Sequence, residues 1–221
     1  MGLRLEQQPA AEVREFANPI NAPCATFGDV DAGDYTEFEC PDGFMAAYGD
    51  ARAYIDYNFG IGALARGAAA PDLINLSATS IQTLGFNGVN TLEQVSTVLE
   101  LNHDWAEGTT IMPHIHWYPT TAGAGNVLWQ MEYVIVPRYS LVPGSTTITV
   151  VQAAGGIAWT ERLASLPNIL TPGITIGAQM HIRLFRDPTA GADTYGSDAA
   201  LATFGLHVLV NTLGSREVIL K

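Results

Sequence analysis

Four of the five histidines fall in apolar, strand-like stretches: His114, His116, His181 and His207. His114 and His116 stand at i and i+2, so on a β-strand both imidazoles leave the same face. Imidazoles grouped in this way, completed by a third from a neighbouring strand, form a donor set for zinc, iron, manganese or nickel. The same pattern also suits a polar sheet face or a contact between subunits. That second use is the expectation. No cofactor is assigned, and His114, His116 and His207 stand as the metal candidates.

The run Gly108-TTIMP-His114-Ile115-His116 resembles the first half of the cupin metal motif, and His207-VLV-Asn211 resembles the end of its second half. The resemblance implies a metalloenzyme that uses His114 and His116 with His207 or His181 as ligands. The cupin glutamate has no counterpart in 117–122 (WYPTTA), and the Pro-x-Gly of the second half has none in 201–206 (LATFGL). Pro113, directly before the pair, predicts an edge strand or a bulge.

Other constellations are thinner. The chain contains no G-x-S-x-G elbow, Walker loop or dinucleotide-binding fingerprint. His103 and Asp104 place a base beside an acid at a strand end, where capping and surface hydrogen bonds are common. Glu93, Glu100 and Glu132 could be paired as glycosidase carboxylates, but no aromatic platform singles out a pair. Asp29, Asp31 and Asp34 offer oxygen ligands at near-alternate positions but lack the glycine and glutamate of an EF-hand loop, so they read as a solvated acidic loop. Trp105, Trp117 and Tyr118 are the side chains that a carbohydrate-binding sandwich would use for stacking.

The elements that carry these residues are short strands. Apolar runs recur at 53–59, 71–77, 92–101, 109–118, 126–136, 146–153, 176–186 and 201–211, separated by Gly, Pro, Asn and Asp clusters. Only 160–166 (TERLASL) reads as a short helix. In 176–186, Met180, Ile182 and Leu184 alternate with Gln179, His181, Arg183 and Phe185. In 109–118, Ile111, Ile115 and Trp117 oppose Met112, His114, His116 and Tyr118. In 126–136, Trp129, Met131, Tyr133 and Ile135 oppose Leu128, Gln130, Glu132 and Val134. Period-two alternation with almost no helix predicts an all-β fold, an antiparallel jelly-roll-like β-sandwich over 51–221. The second faces are semi-polar rather than charged, which suits a subunit contact. His114, His116, Tyr118, His181 and Arg183 are the expected interface residues.

Residues 1–50 read differently. Four prolines and a run of acids interrupt any periodicity, which predicts an extended, irregular N-terminal arm with a short helical turn at 10–16. Such an arm must be held by its own domain or by a neighbour. Cys24 and Cys40 lie in this segment without metal spacing, and a reduced pair is expected.

Composition limits the partners. The 221 residues carry a formal charge of −12, with 48% hydrophobic and only 14% charged residues. A chain this apolar can bury enough surface to fold. Ten basic residues, Lys221 among them, are too few and too scattered to neutralise phosphates, so nucleic acid is not an expected partner. No stretch approaches the ~18 apolar residues of a membrane span, and the first residues show no export signal or myristoylation site.

A larger resemblance covers roughly residues 70–221. It is carried by Gly85-Phe86-Asn87-Gly88-Val89, Leu101-Asn102-His103-Asp104-Trp105, Glu107-Gly108-Thr109, Pro113-His114-Ile115-His116-Trp117 and Pro119-Thr120. Val127-Leu128-Trp129-Gln130-Met131-Glu132-Tyr133, Arg183-Leu184-Phe185-Arg186-Asp187 and Leu213-Gly214-Ser215-Arg216 complete it. The pattern resembles a group of tailed-bacteriophage virion structural proteins. It implies a non-enzymatic building block of the particle, assembled in the host cytoplasm, with capsid decoration ahead of a collar, neck or tail position. The partners it implies are further copies of the chain, as a homotrimer, and the major capsid protein. The net acidic charge would keep such a protein off packaged DNA.

Overall fold

The computed structural model describes residues 23–39, 43–89 and 91–217. Fourteen strands run through them: β1 (Pro23–Asp29), β2 (Asp34–Glu39), β3 (Met45–Ala47), β4 (Ala53–Gly60), β5 (Ala65–Arg66), β6 (Asp72–Asn75), β7 (Gln82–Phe86), β8 (Glu93–Glu100), β9 (Met112–Pro119), β10 (Asn126–Val136), β11 (Thr146–Ala153), β12 (Arg162–Ser165), β13 (Gln179–Arg186) and β14 (Ala199–Val210). Two three-residue 3₁₀ turns are the only helix among the described residues. These residues fall into two compact units. Residues 54–102 and 107–209 form the larger; 23–53, 103–106 and 210–217 belong to the smaller.

The larger unit is an antiparallel jelly-roll sandwich. One sheet runs β12-β9-β14-β7-β6, with β4 also paired to β14, and the other runs β11-β10-β13-β8-β5. From β7 to β14 the chain changes sheet at every step except the β10–β11 hairpin. The pairs β7·β14, β8·β13, β9·β12 and β10·β11 therefore nest as one long hairpin rolled on itself. Rolling buries one face of each sheet and leaves the other outside, which is why the strands alternate.

The expected core faces point inward: Ile115 and Trp117 from β9, Trp129 and Met131 from β10, Met180, Ile182 and Leu184 from β13. Trp129 packs edge-on against Phe86 at 5.2 Å and against Trp117 at 6.0 Å between ring centroids, joining the two sheets. Such pairs contribute about 0.5–1.5 kcal/mol each beyond the area they bury.

Three expectations change. The stretch 160–166 is not helical: Arg162–Ser165 is β12, with Ala164 buried and Leu163 and Ser165 exposed, because pairing with β9 overrides a weak helical preference. Pro113 is not on an edge strand, since β9 is paired on both sides. It sits one residue beyond the last β12 rung, Ser165↔His114, so its missing N–H interrupts no interior pairing.

The third change concerns residues 1–50. Of these, 23–39 and 43–50 are described, and they are not irregular. They hold the meander β1-β2-β3, in register from Asp29↔Asp34 to Ala25↔Phe38, with a shift before Pro23↔Glu39. Phe27 meets Phe38 edge-on at 6.0 Å and Tyr35 stacks on Tyr48 at 4.7 Å. Every residue of β2 is half-buried, so the strand never shows the apolar contrast that marks a sheet buried on one face. Asp29 and Asp31 are exposed, as expected, and two of the acids also accept backbone amides: Asp29 from Ala32 at 3.0 Å and Asp34 from Asp50 at 2.8 Å. The smaller unit also takes residues from the range assigned to the sandwich. Ala47 donates to the Asn211 carbonyl at 2.7 Å, Asn211 to that of Asp104 at 3.1 Å, and His103 Nδ1 bonds the Ser215 hydroxyl. The expected turn at 10–16 and the relation of Cys24 to Cys40 lie outside the described residues and side chains.

Candidate functional site

The site begins with a bulge. Register along β14 against β9 shifts between Leu201 and Thr203. Unbroken alternation would put Leu201 and His207 on the same face. The extra residue reverses the phase, so Leu201 stays in the core while Thr203, Gly205 and His207 turn outward, onto the face of His114 and His116. Gly205 lies directly opposite His114, and His207 is its diagonal neighbour. The His114 ring lies over Gly205, where a Cβ would come within 2.5 Å of Nε2.

Strand β4 supplies the third component. Its residues alternate, with Ile55, Tyr57 and Phe59 half-buried and Asp56 and Asn58 exposed. Phe59 stacks on the buried Phe204 at 5.6 Å, which fixes the opposite face, and Asp56 with it, toward the histidines. Asp56 Oδ2 stands 3.5 Å from His114 Nε2 and 3.7 Å from His207 Nε2. The His114 and His207 rings stack at 4.3 Å with 19° between their planes. One donor atom from each of Asp56, His114 and His207 lies within 4.8 Å of the others.

His114 is 4% exposed, and neither ring nitrogen makes a well-formed hydrogen bond. Burial pushes its pKa below the ordinary histidine value, opposed by Asp56 and by a weak backbone contact to Met112, and reinforced by His207 and His116. Burial therefore disfavours the imidazolium form of His114. His114 thus contributes no contact surface, unlike the expectation that placed it among interface residues: β4 and His207 cover it.

His116 departs from the cluster. Its ring is at 87° to that of His114, and Nδ1 is 2.7 Å from Glu161 Oε1. Of the three metal candidates, His114 and His207 therefore stand together beside Asp56, and His116 turns to Glu161. Asp56, Glu161 and Gly205 were not singled out in the sequence. The signal available for Asp56 was one carboxylate in an alternating aromatic strand.

The remaining expected interface residues divide between two outer faces. Tyr118 is half-buried on the β9 face. His181 and Arg183 lie on the outer face of the other sheet, by a shallow hollow of about 380 Å³ that Glu132, Tyr133 and Ser145 also line. Arg183 there donates to Glu132 at 2.8 Å and to Gln94 at 2.7 Å. Ser145 donates to Glu132 at 2.6 Å and, with Arg183, holds that carboxyl below its ordinary pKa. Trp105 and Trp117 are fully buried and present no stacking surface for a sugar. Of the acids weighed as a glycosidase pair, Glu93 is buried and accepts from the Asn87 amide at 2.6 Å, while Glu100 accepts from Gln179 at 3.1 Å.

No protein-family model matches the chain, and no curated protein matches it. Solved structures resemble it only distantly. A carbohydrate-binding module, CBM35 from Cellvibrio japonicus Abf62, is 8% identical with a TM-score of 0.39, over 73% of this chain and 100% of that one. A chain of infectious bursal disease virus, Gx strain, is 12% identical with a TM-score of 0.37, over 80% of this chain and 38% of that one. The enzymatically active domain of bacteriophage CBA120 tailspike protein 4 is 10% identical with a TM-score of 0.30, over 72% of this chain and 19% of that one. Likenesses this weak carry no inference about what the chain does. No helix among the described residues is long and apolar enough to cross a membrane.

Proposed function

We propose that the chain is a non-enzymatic structural component of a tailed-phage virion, a capsid decoration protein that acts through contacts with copies of itself and with the major capsid protein. The observation that carries this reading is the loop between β10 and β11. Tyr139 is 95% exposed, Leu141 94% and Val142 72%. Three large apolar side chains within four residues are costly to hold in water. A partner that covers them gains roughly 25 cal/mol for each Å² of apolar surface removed. Tyr139 has φ 59°, a backbone state unusual for an aromatic residue, and it sits there with its ring outward.

Composition supports the same reading, since only 14% of residues are charged and the cores of protein interfaces are depleted in charge. The resemblance over residues 70–221 to phage virion proteins supplies the class of particle. A trimer is the expected assembly, and decoration is favoured over a collar, neck or tail position.

The test is incorporation. Particles assembled with the wild-type chain and with Tyr139→Ser/Leu141→Ser are purified and their proteins counted by mass spectrometry. The wild-type chain is expected in many copies per particle, and the variant is expected to stay behind as folded, soluble protein. A wild-type chain missing from washed particles would contradict the proposal.

A further inference from the structure

We infer that Asp56, His114 and His207 form a binding site for a divalent transition-metal ion of the zinc class, which ties β4 to β9 and β14 on the outer face of the sandwich. The inference stands apart from the virion reading, and either can fail without the other.

The first support is the donor set. Two imidazole nitrogens and one carboxylate oxygen converging from three strands are the ligands that zinc, iron, cobalt and nickel share. An ion roughly 2.0–2.2 Å from each donor holds tetrahedral donors roughly 3.3–3.6 Å apart. Asp56 Oδ2 is already 3.5 Å from His114 Nε2 and 3.7 Å from His207 Nε2. The three donor atoms lie within 4.8 Å of one another, and the His207 side chain is 46% exposed.

The second support is independent of the cluster itself. His114 is more than nine-tenths buried, its two ring nitrogens lack a well-formed hydrogen bond, and Nε2 stands 3.5 Å from the Asp56 carboxylate, at ion-pair distance. Buried polar nitrogens are nearly always satisfied, and one left open toward a carboxylate and a second imidazole is what a metal ligand looks like before the ion arrives. Gly205 completes the argument. A Cβ there would lie 2.5 Å from His114 Nε2 and 2.9 Å from Asp56 Oδ1, so the floor of the site tolerates no side chain. Asp56 and His207 keep one side open to solvent, which leaves room for water or another ligand to complete the coordination shell.

The experiment is zinc titration of the full chain after chelator treatment, followed by calorimetry and by native mass spectrometry. Cobalt substitution gives a visible spectrum of the bound ion. One ion per chain is expected, with a melting midpoint that rises with the logarithm of free zinc. Loss of an outer-shell partner alone lowers metal affinity by about 10–100-fold, so removing a ligand should lower it at least that much. His207→Ala and Asp56→Asn, both at exposed positions, are expected to do so while remaining folded. Gly205→Ala is expected to do the same by displacing His114. His116→Ala is expected to bind as the wild type does. The inference is overturned if the wild-type chain takes up no stoichiometric ion. It is equally overturned if Asp56→Asn and His207→Ala bind as tightly as the wild type, or if His116→Ala abolishes binding.

Discussion

The guanidinium of Arg186 meets the carboxylate of Asp193 through two hydrogen bonds, Nε to Oδ2 at 2.9 Å and Nη2 to Oδ1 at 2.8 Å, with both side chains buried. Nη1 also donates to the carbonyls of Phe86 at 2.9 Å and Ser197 at 2.8 Å, and Nη2 to that of Tyr195. One cation thus ties the end of β13 to the end of β7 and to the loop leading into β14. Replacing Asp193 by Ala leaves that charge buried without its counter-ion, a loss of about 3–5 kcal/mol. Denaturant unfolding should show it as a lower midpoint, and a change below about 1 kcal/mol would mean that the loop relaxes to let water in.

Trp117 separates a core role from a glycan-binding role. It is fully buried against Trp129, so Trp117→Ala should cost about 3–5 kcal/mol and lower the melting midpoint sharply. Stability close to that of the wild type, with loss of binding on a glycan array, would restore the carbohydrate reading.

The β10–β11 loop should act on association without acting on the fold. Tyr139→Ser/Leu141→Ser alters side chains that are already in water, so unfolding should shift by no more than about 0.5 kcal/mol per site. Sedimentation velocity is expected to show weaker self-association. Unchanged association would remove the loop from the contact.

In the smaller unit, the Tyr48 hydroxyl donates to Glu37 at 2.7 Å. That hydrogen bond, then burial and the Glu37 charge, push the Tyr48 pKa up from 10.0 to about 12. An acid whose folded pKa is raised contributes stability that is complete below its unfolded pKa and lost as pH rises through the folded one. The unit should therefore lose stability between about pH 10 and 12. Phenolate absorbance should show one tyrosine titrating late, and Glu37→Gln should bring it back toward the ordinary value.

Much of the sandwich was readable because its strands bury one face. Met180, Ile182 and Leu184 alternate with polar partners, Gly- and Pro-rich turns separate the runs, and the jelly roll follows. The β1-β2-β3 meander was not readable, since its central strand β2 is half-buried on both faces and the sequence there carries no contrast. The site was half readable. His114 stood out by its spacing from His116, yet that spacing places two side chains on one face without making their nitrogens converge, and Glu161 draws His116 away. Asp56 and His207 are joined only because β4 pairs with β14, a relation between residues far apart in the chain that no local pattern records. The bulge after Leu201, which turns His207 outward, leaves no mark in the alternation either.

Self-association of the purified full chain is the most direct test of a role built on subunit contacts. Native mass spectrometry across a concentration series should show a closed homo-oligomer, a trimer, that persists on dilution and falls apart in the Tyr139→Ser/Leu141→Ser variant. A chain that stays monomeric at every concentration would contradict the account.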